Sequence, residues 1–324
     1  MEFKSDDNSM AKSSNTVLII LAFFAIYVIW GSTYLLNKIA VTELPAYMLA
    51  GIRFTTAGLL IFGICKVSGI SIRITKRQFR NSTIAGFLFL TFGNGVFVWG
   101  LKYVDSSFAA LEVASMPLIV LLLMRIVDGK KIQPMSIVGV FLGIIGIYLL
   151  VSQKQIVQQE DSLLGMIIIF FCVLGWSTGS LFVSKANLPQ SYLVNTAYQM
   201  VTAGVTLGIT SLVLGENWTW PSTWSGPVQW SMGLLIIFGS IVAFSAFNYL
   251  LKTVSPEKVS TSSYVNPVIA LLLGWYILDE NITSQSIVAA AVLLTGVYFI
   301  NTKKKLVMFS RFKGKLKNKS EAIK

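Results

Sequence analysis

Only Arg53 and Glu112 place ionisable side chains well inside the long apolar runs of this 324-residue chain. In hydrocarbon such a group needs the bundle interior, a partner or water around it. An arginine there can hold the carboxylate of a small molecule, and a glutamate can hold an amine or carry a proton. Arg53 lies eight residues past Pro45, about 12 Å along a helix at 1.5 Å per residue, and Glu112 lies four past Phe108, about 6 Å. Both fall in the outer half of runs that cross in the same sense, which brings an ion pair within reach. The two roles of Glu112 compete. A neighbouring arginine favours the charged carboxylate, whereas proton carriage needs the neutral form as well.

Polar and aromatic residues recur at similar depths in other apolar runs. They include Trp30, Thr33 and Tyr34, then Asn94 and Trp99, then Trp176 and Thr178. Gln199, Asn248 and Tyr264 continue the series. Any one of them suits helix packing; together they describe a moderately polar, aromatic-walled substrate pocket. Gln199 stands 146 positions after Arg53, so a charge in one half faces an amide in the other. Pro117 and Pro267 sit within apolar runs, where each removes a helical hydrogen bond, and both are hinge candidates.

The elements that must position these groups are helices long enough to span a bilayer, about 20 apolar residues each. Ten are expected: 16–36, 45–65, 82–101, 108–126, 133–151, 162–184, 190–213, 231–251, 258–278 and 284–301. Gly139, Gly143 and Gly146 share one face of the fifth and permit close helix contact there, in the bundle or in a dimer. The 214–230 connection, with Trp218, Trp220, Trp224 and Trp230, reads as a headgroup anchor more than a ligand lid. Lysine and arginine placement orients the chain: with the N-terminus inside, only Lys38, Lys102 and Lys154 fall in external segments. Both termini are therefore expected in the cytoplasm.

Self-similarity divides the chain. Trp30-Gly31-Ser32-Thr33 returns as Trp176-Ser177-Thr178 at a spacing near 146. Leu101-Lys102, Pro117, Ser136-Ile137-Val138 and Gly146-Ile147-Tyr148 return 150 positions later as Leu251-Lys252, Pro267, Ser286-Ile287-Val288 and Gly296-Val297-Tyr298. With five spans per unit, the second unit enters the membrane in the opposite sense, as in inverted-repeat carriers.

Composition narrows the function. The chain is 54% hydrophobic and 12% charged, against roughly 25% charged in soluble domains. The net charge of +12 is concentrated in the tail after Asn301 and is not a nucleic-acid signal. No histidine is present, and Cys65 and Cys172 lie in apolar runs as packing residues. No P-loop, Cys-x-x-Cys or His-Glu-x-x-His occurs, so no cofactor or metal is expected and an ion or substrate gradient supplies the driving force.

Two five-span halves, Trp30-Gly31-Ser32-Thr33-Tyr34-Leu35, Ala50-Gly51-Ile52-Arg53-Phe54 after Pro45, and Ala109-Ala110-Leu111 leading to Pro117 resemble the EamA family of the drug/metabolite transporter superfamily over about residues 16–302. The resemblance implies a ten-helix exporter of small metabolites, often amino acids or related compounds, in a bacterial inner membrane. Glu112 departs from that pattern, which has an apolar residue there.

The expected architecture is an all-α polytopic membrane protein of ten transmembrane helices in two inverted five-helix repeats. It comprises a disordered cytoplasmic segment (1–15), repeats at 16–151 and 162–301 joined by an external linker (152–161), and a basic cytoplasmic tail (302–324). The expected function is alternating-access export of a small metabolite, as monomer or homodimer in the lipid bilayer, with Glu112 as the proton-coupling candidate. An uptake carrier of the same fold is the alternative. A non-transporting intramembrane enzyme would need a denser set of carboxylates or serine–lysine pairs, and a scaffold would need no matched polar depths.

Overall fold

A computed structural model describes residues 16–129, 134–152, 161–254, 259 and 262–301. The expectations for 1–15, most of the 152–161 linker and the 302–324 tail lie outside the described residues, as does the side chain of Tyr264. Among the described residues the chain is all helical, with no strand.

Six helices are long and apolar enough to cross a membrane. They are α1 (Thr16–Val41), α2 (Ala46–Val67), α3 (Lys76–Gly100), α4 (Phe108–Val127), α6 (Ser162–Lys185) and α8 (Gly226–Thr253). The others are α5 (Pro134–Val151), α7 (Tyr192–Val213), α9 (Ser262–Leu278) and α10 (Ser284–Asn301). Within α5, α9 and α10 the apolar stretches are shorter, and α7 is interrupted by buried Asn195, Thr196 and Gln199. Large apolar side chains such as Leu59, Ile126, Phe141 and Leu212 point outward, which suits a lipid solvent and not water.

Helix ends follow local chemistry that apolar content alone does not register. The third helix starts at Lys76, not near 82, because Thr75 and Gln78 form a reciprocal capping box in a polar stretch. Gly129 and Gly215, at φ 64° and 69°, follow α4 and α7 as left-handed stops. Three helices carry π-helical turns: Ala25–Ile29 in α1, Phe87–Gly95 in α3 and Leu235–Val242 in α8. Such turns free backbone carbonyls. The Asn266 amide, its nitrogen turned to the surrounding acceptors, donates to Ile26 and Tyr27 carbonyls in the first of them, at 3.0 and 2.8 Å.

Pro117 is not a kink inside a continuous helix. The chain turns tightly at Ala114 and Ser115 and restarts as Met116–Asp128, so Pro117 occupies a first turn, where its missing N–H costs nothing. Pro267 does lie inside α9, so the two matched prolines do different work.

The most extensive helix contacts pair α2 with α7 and α5 with α10. In the second pair a Cβ on Gly296 would stand 2.8 Å from the Gly139 carbonyl and 3.1 Å from the Gly143 amide. The glycine face of α5 is thus consumed within the bundle.

One end of the bundle is tied across by polar contacts. Lys38 Nζ, at the end of α1, donates to the Leu101 and Val104 carbonyls, both at 2.7 Å. Glu280 accepts from the Ser106 amide and hydroxyl at the start of α4, at 3.0 and 2.7 Å. Glu216, beyond α7, accepts from the Met48 amide at 2.8 Å and caps α2, while Glu43 accepts from the Ser225 amide at 3.1 Å and caps α8. The Ser225 hydroxyl and amide hold the exposed Glu43 carboxyl below its ordinary range. Asp105, beside this end, is pushed up by burial and by Glu280, with Lys38 opposing. In the 214–230 connection Trp224 is buried, whereas Trp220 and Trp230 are exposed, an arrangement suited to lipid headgroups.

Candidate functional site

A cavity of about 120 Å³ lies in the middle of the bundle, lined from α1, α2, α3 and α4 of the first half and α6, α8 and α9 of the second. Its lining runs from Asn37 and Arg53 at the tied end to Leu251, Val259 and Ser262 toward the other.

Two tryptophans meet in its wall. The rings of Trp30 and Trp176 are 5.7 Å apart and edge-on at 87°, and Phe247 sits 5.1 Å from Trp30 and 5.7 Å from Trp176. Each tryptophan also leans on a glycine in a π-helical turn of the opposite half. Trp30 Nε1 donates to the Gly239 carbonyl at 3.2 Å, and a Cβ on Gly93 would lie 3.2 Å from the Trp176 ring. The wider turn and the missing side chain let the indole approach the backbone.

Arg53 is the charged residue of the lining and is 3% exposed. Its Nε donates to Ser240 Oγ at 2.8 Å and its Nη1 to Asn37 Oδ1 at 3.3 Å. Neither acceptor carries charge. A Cβ on Gly239 would fall 3.1 Å from Arg53 Nη2 and 2.9 Å from the Thr33 methyl, so this glycine sets the guanidinium beside the tryptophan pair. The guanidinium carbon also stands 4.8 Å over the Phe54 ring.

The Arg53–Glu112 ion pair that the sequence left open is not formed. Arg53 is bonded to Ser240 and Asn37, while Glu112 is 5% exposed and its Oε2 has no partner among the described residues. Glu112 belongs to α4 and is not among the residues that line the cavity; its chain neighbours Ala109, Ala110 and Leu111 belong to a second buried apolar cluster. Depth along a helix brought the two together in the sequence reading; the direction around each helix separates them.

Of the other expected site residues, Trp30, Thr33, Tyr34, Asn94 and Trp176 line the cavity. Trp99 does not; it packs 6.4 Å from Tyr47 and 6.0 Å from Tyr103. Thr178 is exposed, its hydroxyl donating to the Leu174 carbonyl at 2.8 Å, because two residues past Trp176 is about 200° around a helix. Gln199 and Asn248 are buried in a separate amide network: Asn248 Nδ2 donates to Gln199 Oε1 at 3.1 Å and to Thr196 Oγ1 at 2.9 Å.

The lining residues that sequence reasoning missed are chiefly Asn37, Gly239, Ser240, Phe244 and Phe247. A signal existed for three of them. Asn37 is one turn past Thr33, and its Nδ2 donates back to the Thr33 carbonyl at 2.7 Å. Gly239-Ser240 repeats Gly93-Asn94 at the same spacing of 146 that relates the tryptophans.

Comparison with known proteins matches the EamA-like transporter family model at residues 17–152 and again at 163–302. The chain is 35% identical to the inner membrane transporter YedA of Escherichia coli K12 over 88% of its own length and 91% of that protein's. It is 22% identical to the Bacillus subtilis transporter YoaV over 88% and 97%. It is 25% identical to a Chlamydia muridarum S-adenosylmethionine/S-adenosylhomocysteine transporter over 86% and 91%. A solved crystal structure superposes with a TM-score of 0.64 at 18% identity, covering 87% of this chain and 96% of that one.

Proposed function

The chain belongs to the EamA-like transporter family and is a multi-pass membrane transporter, and from that premise we propose that it is a secondary carrier, not an enzyme, exporting a small amphipathic metabolite by alternating access. The substrate is an amino acid or a related compound with an acidic group. Arg53 holds that group, and Trp30, Trp176 and Phe247 cover the apolar body. Uptake by the same machinery is the alternative, since direction follows the gradients.

The observation that carries this reading is the position of the cavity: central, lined from both halves, with an uncompensated guanidinium buried in its wall. Burying a charge without an opposite charge costs several kcal/mol. A site that meets an anionic substrate there gains that much in recognition.

The proposed architecture is ten spans in two inverted halves, 16–151 and 162–301, with both termini cytoplasmic in a bacterial inner membrane. Three features support it. Helices α2 and α7, and α5 and α10, are counterparts at spacings of 146 and 150, and each packs most extensively on its own counterpart. Elements meet their own counterparts only near a symmetry axis. The tryptophans do the same. The π-helical turns of α3 and α8 also fall at corresponding positions.

Glu112 is the proposed proton carrier, supported by its burial in a membrane-crossing helix with one oxygen unpartnered. The chain works as a monomer or homodimer and needs no cofactor.

Counterflow in proteoliposomes, screened over amino acids, organic acids, nucleobases and cationic drugs, tests the reading. Substrate-dependent exchange that disappears in Arg53→Ala is the expected result. Absence of exchange with every compound, in protein shown to be folded, overturns it.

A further inference from the structure

The charge inventory of the cavity is lopsided. Arg53 contributes a cation, and among the described residues no aspartate or glutamate lines the wall. Glu112, the one carboxyl that could have balanced it, lies in α4 outside the lining. The guanidinium uses Nε and Nη1 on neutral oxygens, and Nη2 makes no hydrogen bond to the described residues. The donor inventory leans the same way. Trp30 spends its indole N–H on Gly239, whereas the N–H of its counterpart Trp176 meets no protein acceptor among the described residues.

Trp30, Trp176, Phe244 and Phe247 contact one another at centroid distances of 5.1–6.4 Å and form one aromatic cluster in the wall. Arg53 is held beside this cluster by Gly239. In an amino acid the ammonium and the carboxylate share one carbon. A carboxylate on Arg53 would therefore bring the ammonium next to a guanidinium, with no aspartate or glutamate in the lining to receive it. Like charges so placed repel strongly, and an unpaired buried charge is costly.

From this geometry we infer that the site selects an organic monoanion: a carboxylate on Arg53 and Trp176 Nε1, an apolar, ring-sized body against the aromatic cluster, and no positively charged group near the carboxylate. The inference rests on the transport reading above and sets aside its amino-acid branch: of the amino acid or related acidic compound proposed there, the site takes the carboxylate that lacks an ammonium.

Three probes of matched skeleton test it: 3-phenylpropanoate, L-phenylalanine and 2-phenylethylamine. Each is titrated into the purified full chain in detergent, with calorimetry and tryptophan fluorescence as readouts. 3-Phenylpropanoate binds at least about 30-fold more tightly than either of the others, the smaller end of what pairing a buried charge supplies. Arg53→Gln erases that preference and Arg53→Lys retains its order. Equal affinities, tighter binding of the amino acid or the amine, no binding of any probe, or a preference that survives Arg53→Gln would each overturn the inference. The wild-type order of the probes decides the matter even where a variant fails to fold. Counterflow separates this proposal from the one it rests on. Binding of 3-phenylpropanoate without flux of any compound defeats the carrier and leaves the anion site, whereas flux of phenylalanine without anion preference defeats the site and leaves the carrier.

Discussion

Replacing Glu112 with leucine separates energy coupling from substrate handling. The carboxyl is 5% exposed and its Oε2 has no hydrogen-bond partner among the described residues. A buried polar atom left unpaired costs about 1–3 kcal/mol. Leucine has no polar atom to leave unpaired, and the chain neighbours Ala109, Ala110 and Leu111 belong to a buried apolar cluster. Glu112→Leu should therefore be more stable than wild type by about 1–3 kcal/mol. At about 2 °C for each kcal/mol this raises the thermal midpoint by a few degrees, followed by far-ultraviolet circular dichroism in detergent. The same change removes the proposed proton carrier. A gradient of one pH unit is worth about 1.4 kcal/mol per proton, enough for about tenfold accumulation in wild type. In the variant that accumulation vanishes, while counterflow exchange, which needs no proton, continues near the wild-type rate because Glu112 does not line the cavity. A variant that still concentrates substrate under a pH gradient refutes the proton role. A variant that loses stability refutes the argument that its oxygen is an unpaid cost of the fold.

Other outcomes follow from contacts at particular helix ends and crossings. Gly296→Leu places a side chain against the Gly139 carbonyl and the Gly143 amide, and should lower stability by about 1–3 kcal/mol; a thermal midpoint equal to wild type would refute the α5–α10 crossing. Glu216→Ala removes the acceptor of the Tyr47 and Met48 amides at the start of α2, at a cost of about 0.5–2 kcal/mol, and speeds hydrogen exchange at those amides specifically. A fluorescent protein fused after Lys324 should light up and an alkaline phosphatase fusion there should be inactive; the reverse pattern would place the C-terminus outside.

Much of the scaffold was legible because apolar periodicity and length are local properties. The long apolar runs became helices, and the string around Trp30 and its recurrence at Trp176 pointed to the central cavity. What hydropathy could not see were element starts written in polar chemistry, as at Thr75 and Gln78, and the π-helical turns, which change hydrogen-bond partners without changing composition. Pro117 was read as removing a hydrogen bond within a helix because sequence shows a proline in an apolar run but not the restart of the helix one residue before it.

The sequence by itself determined the solvent, the helical class and the presence of one arginine and one glutamate in hydrocarbon-length segments, since burial energy scales with apolar area and charge is a property of residue type. Tertiary structure decided which of those groups share a space. A residue's depth follows from counting along the chain, but its direction depends on how each helix is rotated, and a single π-helical turn alters that rotation. Arg53 thus turned to Ser240 and Asn37 at the cavity, Glu112 into packed side chains, and Thr178 outward from the bundle. The separation of the two charges, on which the anion selectivity rests, is a consequence of packing.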